Sequence, residues 1–472
     1  MERAKKRIAI VGGGITGLTA AYEIKKFIEK EQLPFELILL EGSTRVGGKI
    51  HTLQIGTRFF DTGAESIDVR YSGAMTLIKE LGLEEELVYS SGDKPDVYFY
   101  NQLHQLTYPT YKGIPIHRTD IWKNKLLTFH GKLASYKDLV VPKTKIEEDL
   151  TVSSFLKRRL GEEQVEHVVE PFFSKIYAGD LDEMGVRSSN EFIYDVEQNH
   201  RRLSKGLSNY PEFFDGDGNY VTFEKGLEVL PKKLAETIEP HIQYGKKVFE
   251  ISKGQEGTYV IDINRKEQMR VGAVIVATPA TEYSRLFKDE KLTSFFNKTV
   301  TASIGFILLS FPKGAIKNEP KGFGFVTPRR NDSHVTSVIL LDKKWPTLKQ
   351  NDEEVLIGAN FGRRGEESLV SLSNLEIEEY ILKDLNQILG IEVPPNYLKI
   401  ARWPNAIPQY TIHHEERKQK LVAILRADFP GIYIGGNGFG GFGINQCVAQ
   451  ANRISKATIE YMKNKIVFRL RI

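Results

Sequence analysis

The start of the chain alternates short apolar runs with a glycine-rich turn. Residues 7–11 are apolar and β-branched, which predicts a buried strand. Residues 12–17 hold the glycines, and residues 18–27 carry apolar side chains at helical spacing. Residues 35–41 predict a second buried strand that ends on a carboxylate. The opening of the chain therefore predicts a βαβ unit.

Two later apolar runs, 270–279 and 431–436, stop at Gly or Pro, and we expect both to join the same sheet. Residues from about 100 to 220 show helix-like segments at 152–159 and 162–176 without clear strand alternation, which predicts a helical insertion.

Four strand-like runs separated by Pro, Gly and Asp or Asn predict an antiparallel sheet. They are residues 301–311, 323–326, 335–341 and 355–361. A helix is predicted over 377–389, because Ser373 and Glu376 have capping-box spacing before it and Gly390 follows as a stop.

The composition excludes several classes of protein. The 472 residues are 41% hydrophobic and 27% charged, so the chain is neither fibrous nor largely disordered. Its net charge of +4 gives no surplus for binding a nucleic acid. The single cysteine, Cys447, excludes an internal disulfide and favours a cytoplasmic location. No apolar run reaches the roughly 18 residues of a membrane-spanning helix.

The glycines at positions 12, 14 and 17 have the spacing of a dinucleotide-binding turn. The first glycine permits the tight turn, the second lets a pyrophosphate approach, and the third lets the helix pack on the strand. Glu41, at the end of the second strand, can accept the ribose hydroxyls. The turn alone leaves NAD and FAD both open. A phosphate loop of the ATPase type is excluded over 42–49, because Ile50 replaces its Ser or Thr.

The segment Glu41-Gly-Ser-Thr-Arg-Val-Gly-Gly-Lys49 places two basic residues and a Gly-Gly pair after the ribose carboxylate. This segment resembles that of the FAD-binding amine-oxidase-type flavoproteins; a flexible surface hairpin is the alternative interpretation. Within that superfamily the chain resembles the FAD-dependent porphyrinogen oxidases of haem biosynthesis, especially the soluble form of Gram-positive bacteria. The segments that carry this resemblance are 8–18, 45–49, 170–180, 401–410 and 441–444.

The resemblance implies an α/β fold of mixed α+β content, with a Rossmann-like FAD-binding domain, an antiparallel-sheet substrate domain and a helical insertion domain. The domain bounds that we expect are 1–75, 222–280 and 428–465 for the FAD-binding domain, 76–100 and 281–427 for the substrate domain, and 101–221 for the insertion.

By the same resemblance the cofactor is FAD, and the reaction is an oxygen-dependent oxidation of coproporphyrinogen III or protoporphyrinogen IX to the porphyrin with release of hydrogen peroxide. Hydride goes to the flavin, so no catalytic side chain and no metal is expected. The expected cofactor contacts are Gly12, Gly13, Gly14, Ile15, Thr16, Gly17, Glu41, Gly42, Arg45, Gly48, Lys49, Gly63, Ala64, Glu65, Ser66, Val248, Trp403, Gly443, Ile444 and Asn445. Val248 and Trp403 have the alternative interpretation of plain core residues.

Substrate propionates require cations at the mouth of an apolar cleft. Arg70 is the first candidate, because it follows the expected flavin segment 63–66 and the family carries basic residues there; a solvated surface arginine is the alternative. Weaker candidates are Arg329, Arg330, Arg363 and Arg364.

The chain also departs from the family pattern. The family has Gly-Pro-x-Ser at 63–66, a second basic residue at Tyr71, Gly-Ile-Pro-Asp at 443–446 and a glycine at Ala451. These departures keep three alternatives open: an amine oxidase, a carotenoid desaturase-like enzyme, or a non-catalytic flavin- or porphyrin-binding paralogue.

The last ten residues, 463–472, alternate basic and apolar side chains, which predicts a frayed terminal strand. Contact of this end with a membrane or a partner, such as another haem-pathway enzyme, is the alternative interpretation.

Overall fold

The structure is a computed structural model that describes residues 6–91, 94–145, 147–216, 218–350 and 352–467. The chain forms two compact units. The first unit comprises residues 1–87, 222–299 and 416–472, and the second unit comprises residues 88–221 and 300–415. The expected finer division, in which the helical insertion is a domain of its own, stays a prediction.

The strands follow in chain order. They are β1 (Arg7–Val11), β2 (Glu36–Leu40), β3 (Thr52–Ile55), β4 (Arg58–Asp61), β5 (Ile67–Asp68), β6 (Leu87–Tyr89), β7 (Asp96–Phe99), β8 (Gln102–His104), β9 (Thr110–Tyr111), β10 (Ile114–Pro115), β11 (Tyr220–Phe223), β12 (Ile242–Gln243), β13 (Val248–Lys253), β14 (Tyr259–Ile263), β15 (Glu267–Val271), β16 (Ala273–Val276), β17 (Val300–Pro312), β18 (Gly324–Val326), β19 (Val335–Leu340), β20 (Glu354–Phe361), β21 (Tyr397–Gln409) and β22 (Ile432–Ile434).

The α-helices are α1 (Ile15–Glu31), α2 (Ser72–Glu80), α3 (Phe129–Ala134), α4 (Val152–Leu160), α5 (Glu162–Gln164), α6 (Glu170–Tyr177), α7 (Val186–Ser189), α8 (Glu191–His200), α9 (Leu203–Leu207), α10 (Val229–Ile238), α11 (Tyr283–Leu286), α12 (Glu290–Phe296), α13 (Leu341–Lys344), α14 (Asn374–Leu389), α15 (His414–Asp428) and α16 (Gly443–Val467).

The first unit is built on a five-stranded parallel sheet in the order β12-β2-β1-β16-β22. Its central strand β1 is apolar because both of its neighbours and both faces bury it: Ile8, Ala9 and Ile10 are inaccessible to solvent. The βαβ opening is thus confirmed. The apolar run at 270–279 divides in two, because β16 joins this sheet whereas β15 pairs antiparallel with β14.

The second unit contains a seven-stranded sheet in the order β21-β17-β20-β19-β18-β7-β8. The four predicted strands between 300 and 361 are all present as β17 to β20. Helix α14 packs its apolar face on this sheet through Ile377, Ile381 and Leu385. Its capping box is formed in both directions, and Gly390 ends it in the left-handed region at φ 67°.

The helix predicted over 162–176 is confirmed, because α5, a π-helical turn at Val165–Val169 and α6 follow one another without a break. A second prediction needs correction. The predicted terminal strand is wrong as far as residue 467, because α16 continues to Val467; residues 468–472 lie outside the described residues. Among the described residues no helix combines the length and apolarity needed to cross a membrane.

Candidate dinucleotide site

The site of the first unit is built at the carboxyl ends of its parallel strands, where open α/β sheets bind their ligands. Strand β1 runs into Gly12, β2 into Glu41, β16 into Ala277 and β22 into Gly435. Backbone hydrogen bonds hold the ends of three of these strands in line, since Ala277 N–H donates to the Val11 carbonyl and Gly435 N–H donates to the Val276 carbonyl. The strand ends therefore form one edge.

The glycine turn meets the demands that its spacing predicted. Gly12 has φ 106°, and a Cβ there would lie 2.8 Å from the Ala277 carbonyl oxygen. A Cβ at Gly17 would lie 1.9 Å from the Gly12 carbonyl oxygen, so only glycine lets α1 approach this closely. A Cβ at Gly14, by contrast, would meet no atom within 4 Å. The space beside Gly14 is thus open for a group that approaches the backbone.

The amino end of α1 is suited to an anion. Gly14 is its N-cap and contributes no side-chain hydrogen bond, and the first turn contains no acidic residue. The unsatisfied N–H groups of a helix start and its dipole together favour a phosphate.

Glu41 is fixed by three hydrogen bonds. Its Oε2 accepts from the backbone N–H of Gly13 at 2.6 Å, and its Oε1 accepts from the backbone N–H and hydroxyl of Ser43, both at 2.7 Å. The carboxylate therefore lies beside the glycine turn, where a ribose is expected next to a pyrophosphate.

The loop that follows Glu41 is tied to the glycine turn. Gly47 N–H donates to the Gly13 carbonyl at 2.8 Å. Arg45 turns its guanidinium back onto this loop, with Nη2 donating to the Gly48 carbonyl at 2.8 Å and Nη1 to the Val46 carbonyl at 3.2 Å. Arg45 thus stabilises the Gly-Gly loop by its own hydrogen bonds.

Lys49 is a buried cation of this site. Burial lowers the pKa of Lys49 to about 8. Its Nζ donates to Asn437 Oδ1 at 3.3 Å. Because a desolvated ammonium gains from an anion placed beside it, Lys49 suits a phosphate or another electron-rich group.

The segment 63–66 lies next to this loop, since Ala64 N–H donates to the Lys49 carbonyl at 3.2 Å. Val248 is buried at the start of β13, among core residues of the first unit. Gly42 packs with its Cα near Lys247, where a Cβ would be in ordinary contact at 3.5 Å.

Arg70 is held by a neighbouring carboxylate. Its Nε donates to Asp68 Oδ1 at 2.8 Å and its Nη2 to Asp68 Oδ2 at 2.7 Å, and only 5% of its side chain is exposed. The alternative of a solvated surface arginine is therefore excluded.

Asn445 joins two parts of the site. Its Nδ2 donates to the Asp68 carbonyl and its Oδ1 accepts from the backbone N–H of Ala74, both at 2.9 Å. Gly73 permits this approach, because a Cβ there would lie 2.5 Å from the Asn445 carbonyl oxygen. The start of α16, with Gly443 and Ile444, is thereby fixed to the start of α2.

Trp403 lies in the second unit, on β21 opposite Ile304 of β17. The four weaker arginine candidates also lie in the second unit, and each is engaged in ion pairs. Arg329 pairs with Glu366, Arg330 with Glu166, Arg363 with Glu366 and Arg364 with Glu183.

The sequence analysis missed Asp68 and Asn437. Asp68 could have been found as an acidic residue two positions before Arg70, whereas Asn437 carries a weaker signal, its position after the Gly435–Gly436 pair that ends β22. Among the described residues there is no cluster of three or more side chains that could hold a metal ion.

The residues of the first unit fit a flavin dinucleotide. The open space at Gly14, the anion-suited start of α1, the fixed carboxylate of Glu41 and the buried Lys49 match a pyrophosphate flanked by a ribose.

The model of the family described as flavin containing amine oxidoreductase matches residues 15–459. The coproporphyrinogen III oxidase of Bacillus subtilis (strain 168) is 31% identical over 470 residues, which covers 98% of this chain and 100% of that protein. The protoporphyrinogen oxidase of Bos taurus is 25% identical over 480 residues, which covers 94% of this chain and 96% of that protein.

Among solved structures, a provisionally named protoporphyrinogen oxidase from Exiguobacterium sp. 255-15 superposes with a TM-score of 0.85 at 28% identity. The match covers 96% of this chain and 98% of that one. The structural match confirms the fold class that we expected from the sequence. The family match confirms the expected flavin cofactor.

Proposed function

This chain belongs to the flavin-containing amine oxidoreductase family, and we propose that it is an FAD-dependent, oxygen-dependent coproporphyrinogen III oxidase. Protoporphyrinogen IX is the alternative substrate. The observation that carries the proposal is the end-to-end similarity to a protein named coproporphyrinogen III oxidase. The cradle at Gly14 and Glu41 supports the cofactor that such an activity needs.

The proposed reaction removes six electrons from the porphyrinogen. In each of three two-electron steps a hydride leaves a ring carbon, a proton leaves a ring nitrogen or carbon, and one oxygen molecule becomes hydrogen peroxide. Bound FAD supplies the hydride acceptor and passes the electrons to oxygen. No side chain has to form a covalent bond with the substrate.

The residues of this chain then act by binding and orienting. The carboxylate of Glu41 accepts hydrogen bonds from ribose hydroxyls, the N–H groups at the start of α1 donate to the pyrophosphate, and Lys49 compensates negative charge on the cofactor. The start of α16 at Gly443–Asn445 and the segment 63–66 complete the proposed contacts. Val248 and Trp403 belong to the same proposed set.

Arg70 is the proposed contact for a substrate propionate. Asp68 orients the guanidinium through a bidentate pair, so Arg70 presents a preset geometry and shares its charge with that carboxylate. Arg70→Lys keeps the charge and removes this bidentate geometry. We expect Arg70→Lys to raise the KM for the porphyrinogen and to leave kcat nearly unchanged.

The decisive experiment compares both porphyrinogens side by side, with detection of peroxide. The purified protein should be yellow, and anaerobic addition of the substrate should bleach the flavin absorption. Bleaching by neither porphyrinogen overturns the proposal. Peroxide release from polyamines or aromatic amines alone would instead identify an amine oxidase, and tight porphyrin binding without turnover would identify a non-catalytic paralogue.

The proposal places the protein in the cytoplasm, with a peripheral contact at the inner face of the membrane and contacts with other enzymes of haem synthesis. These parts rest on the chemistry of the pathway, in which a reactive porphyrinogen has to be received and a poorly soluble porphyrin handed on.

A further inference from the structure

The turn between β22 and α16 carries Asn437, which accepts a hydrogen bond from Lys49. Residues 436–439 form a β-turn, because Phe439 N–H donates to the Gly436 carbonyl at 3.1 Å. Asn437 is the second residue of this turn and is half-buried. Its place opposite Lys49 therefore depends on the side chains that hold the turn.

One side chain of α16 binds both ends of this turn. Gln450 Oε1 accepts from the Gly436 N–H, and Gln450 Nε2 donates to the Phe439 carbonyl, both at 2.8 Å. Gln450 is 8% exposed, so both hydrogen bonds are shielded from water. A single amide thus fixes the residue before Asn437 and the residue two positions after it.

Glycines allow the Gln450 amide to approach the turn. A Cβ at Gly441 would lie 3.2 Å from Gln450 Oε1 and 3.0 Å from the Gly436 carbonyl oxygen. Gly436 itself has φ 112°, a backbone conformation that residues with a Cβ rarely adopt. The sequence around the turn is therefore suited to this contact.

Two further side chains hold the residues on either side of the turn. Tyr283 Oη lies 2.9 Å from the Gly435 carbonyl oxygen, which precedes the turn. Cys447 Sγ lies 2.9 Å from the Gly441 carbonyl oxygen, which follows it. These contacts fix residues 435 and 441, whereas Gln450 binds the turn itself.

The contact that the turn supports acts on a charge. Asn437 Oδ1 accepts from Lys49 Nζ at 3.3 Å, and a hydrogen bond to the ammonium favours the charged form. Burial lowers the pKa of Lys49 to about 8, and among the described titratable groups Cys447 opposes this shift. Without the Asn437 oxygen, the pKa of Lys49 should therefore fall further.

We propose that Gln450 is a positioning residue of the cofactor site, which holds the turn 436–439 so that Asn437 stays opposite Lys49. The inference rests on the proposed contact of Lys49 with the cofactor, and it is independent of the identity of the porphyrinogen. Gln450 acts through the turn and not by a direct contact with FAD.

The first test measures the Kd for FAD at pH 7 by reconstitution of the full-length apoprotein. Gln450→Met keeps the length of the side chain and removes both hydrogen bonds, so the Kd should rise by about tenfold. Asn437→Ala removes the contact with Lys49 and should raise the Kd by about as much. The matched control is Gln419→Met, at an exposed position of α15, which should keep the wild-type Kd.

The double variant shows whether Gln450 acts through Asn437. If it does, the double variant should bind FAD at most about twofold more weakly than Asn437→Ala alone, because no further contact is lost. Independent effects would multiply to about a hundredfold, and that result overturns the inference, as does a wild-type Kd in Gln450→Met. Gln450→Leu, a second apolar replacement, should give the same results, so the test does not depend on the folding of one variant.

The pH profile of FAD binding is a readout that a purely structural role would not move. In Gln450→Met and in Asn437→Ala, the pH above which the affinity for FAD falls should shift from about 8 to a lower value, by about half a pH unit or more. A weakened Kd with an unshifted profile would show that Gln450 only stabilises the fold, and it overturns the inference.

The same profiles separate a failure of this inference from a failure of the proposed function. A wild-type profile that does not fall above pH 8 removes the contact of Lys49 with the cofactor and overturns the inference together with it. A wild-type profile that falls while those of the variants are unshifted overturns the inference alone. Both readouts measure FAD binding, so they do not depend on whether the protein oxidises a porphyrinogen.

Discussion

The carboxylate of Glu41 accepts a hydrogen bond from the backbone N–H of Gly13 at 2.6 Å, across 28 positions of the chain. This bond joins the end of β2 to the glycine turn that follows β1. It places the carboxylate of Glu41 against the glycine turn, where a Cβ at Gly13 would lie 2.9 Å from Glu41 Oε2. The glycine turn and the carboxylate of Glu41 are therefore held together by a direct hydrogen bond.

Glu41→Gln should weaken FAD binding by about 10- to 100-fold, because hydrogen bonds to a charged group contribute about 1.5–3 kcal/mol. The amide of the variant also has an NH2 group, which cannot accept the hydrogen bonds that Gly13 and Ser43 donate to the carboxylate. The measurement is the Kd for FAD from reconstitution of the apoprotein, followed by flavin fluorescence. Glu36→Gln, at the other end of β2, is the control and should keep the wild-type Kd.

The parts of the site that could be predicted from the sequence are those that depend on residues close together in the chain. The glycine turn, Glu41 and the capping box of α14 follow from neighbouring residues, so periodicity and turn chemistry reveal them. The contact of Lys49 with Asn437 joins residues 388 positions apart and depends on the closure of the whole sheet. No local pattern carries that information.

The end of the chain shows the opposite limit. The basic and apolar residues at 463–467 are compatible with a strand and equally with the last turn of a helix. Helix α16 begins at Gly443 and continues through this stretch, because extending an existing helix costs much less than starting a new element. A local pattern was therefore overridden by the element before it.

The carboxyl group of Asp61 should make stability depend on pH. Burial raises the pKa of Asp61 to about 6, although it accepts hydrogen bonds from Thr52, Thr222 and Leu227. A group whose pKa is higher in the folded state stabilises the fold below its unfolded pKa, and this contribution is lost as the pH rises toward 6. The loss amounts to about 3 kcal/mol for a rise of about two pKa units.

Asp61→Asn should remove this pH dependence. Above pH 6 the denaturant midpoint of the variant should equal or exceed that of the wild type. Toward pH 4 the midpoint of the wild type should rise relative to that of the variant. Asp332→Asn, at an exposed position, is the control and should follow the wild-type profile. A wild-type-like slope in Asp61→Asn would contradict the assignment.

Asn445 stands where the family pattern has proline, and its side chain makes two hydrogen bonds that proline cannot make. Asn445→Ala leaves the Ala74 N–H and the Asp68 carbonyl without these partners and should lower the free energy of unfolding by about 2 kcal/mol. Thermal unfolding followed by circular dichroism measures the loss. The same truncation at the next position, Gln446→Ala, should cost much less.

Ala178 adopts a left-handed backbone conformation, with φ 44°, in the segment Tyr177–Asp180. Hydrogen bonds within the second unit hold this conformation: Arg364 N–H donates to the Ala178 carbonyl at 2.9 Å, and Arg329 Nη2 donates to the Gly179 carbonyl at 3.2 Å. Ala178→Gly should relieve strain and raise the free energy of unfolding by up to about 1 kcal/mol.

Ala423→Gly provides the matched comparison, since Ala423 is exposed in the interior of α15. There the same substitution should lower the free energy of unfolding by about 1 kcal/mol. Denaturant unfolding should therefore move in opposite directions for the two variants. A destabilised Ala178→Gly would show that the methyl group has a packing role greater than the strain.

Lys49 should make FAD binding depend on pH. Burial lowers the pKa of Lys49 to about 8, so the apoprotein loses this charge as the pH rises through 8. An anionic cofactor beside Lys49 raises its pKa again, and binding above pH 8 then takes up a proton. The affinity for FAD should therefore fall by up to about tenfold per pH unit above 8 and stay level below it.

Two variants at position 49 serve as controls. Arginine keeps its charge throughout, so the Kd of Lys49→Arg for FAD should not change with pH over the same range. The Kd of Lys49→Gln should also be independent of pH, but FAD should bind more weakly. Reconstitution of the apoprotein with FAD in a series of buffers measures all three profiles, and a wild-type Kd that does not change between pH 7 and pH 9 would place Lys49 away from the phosphates.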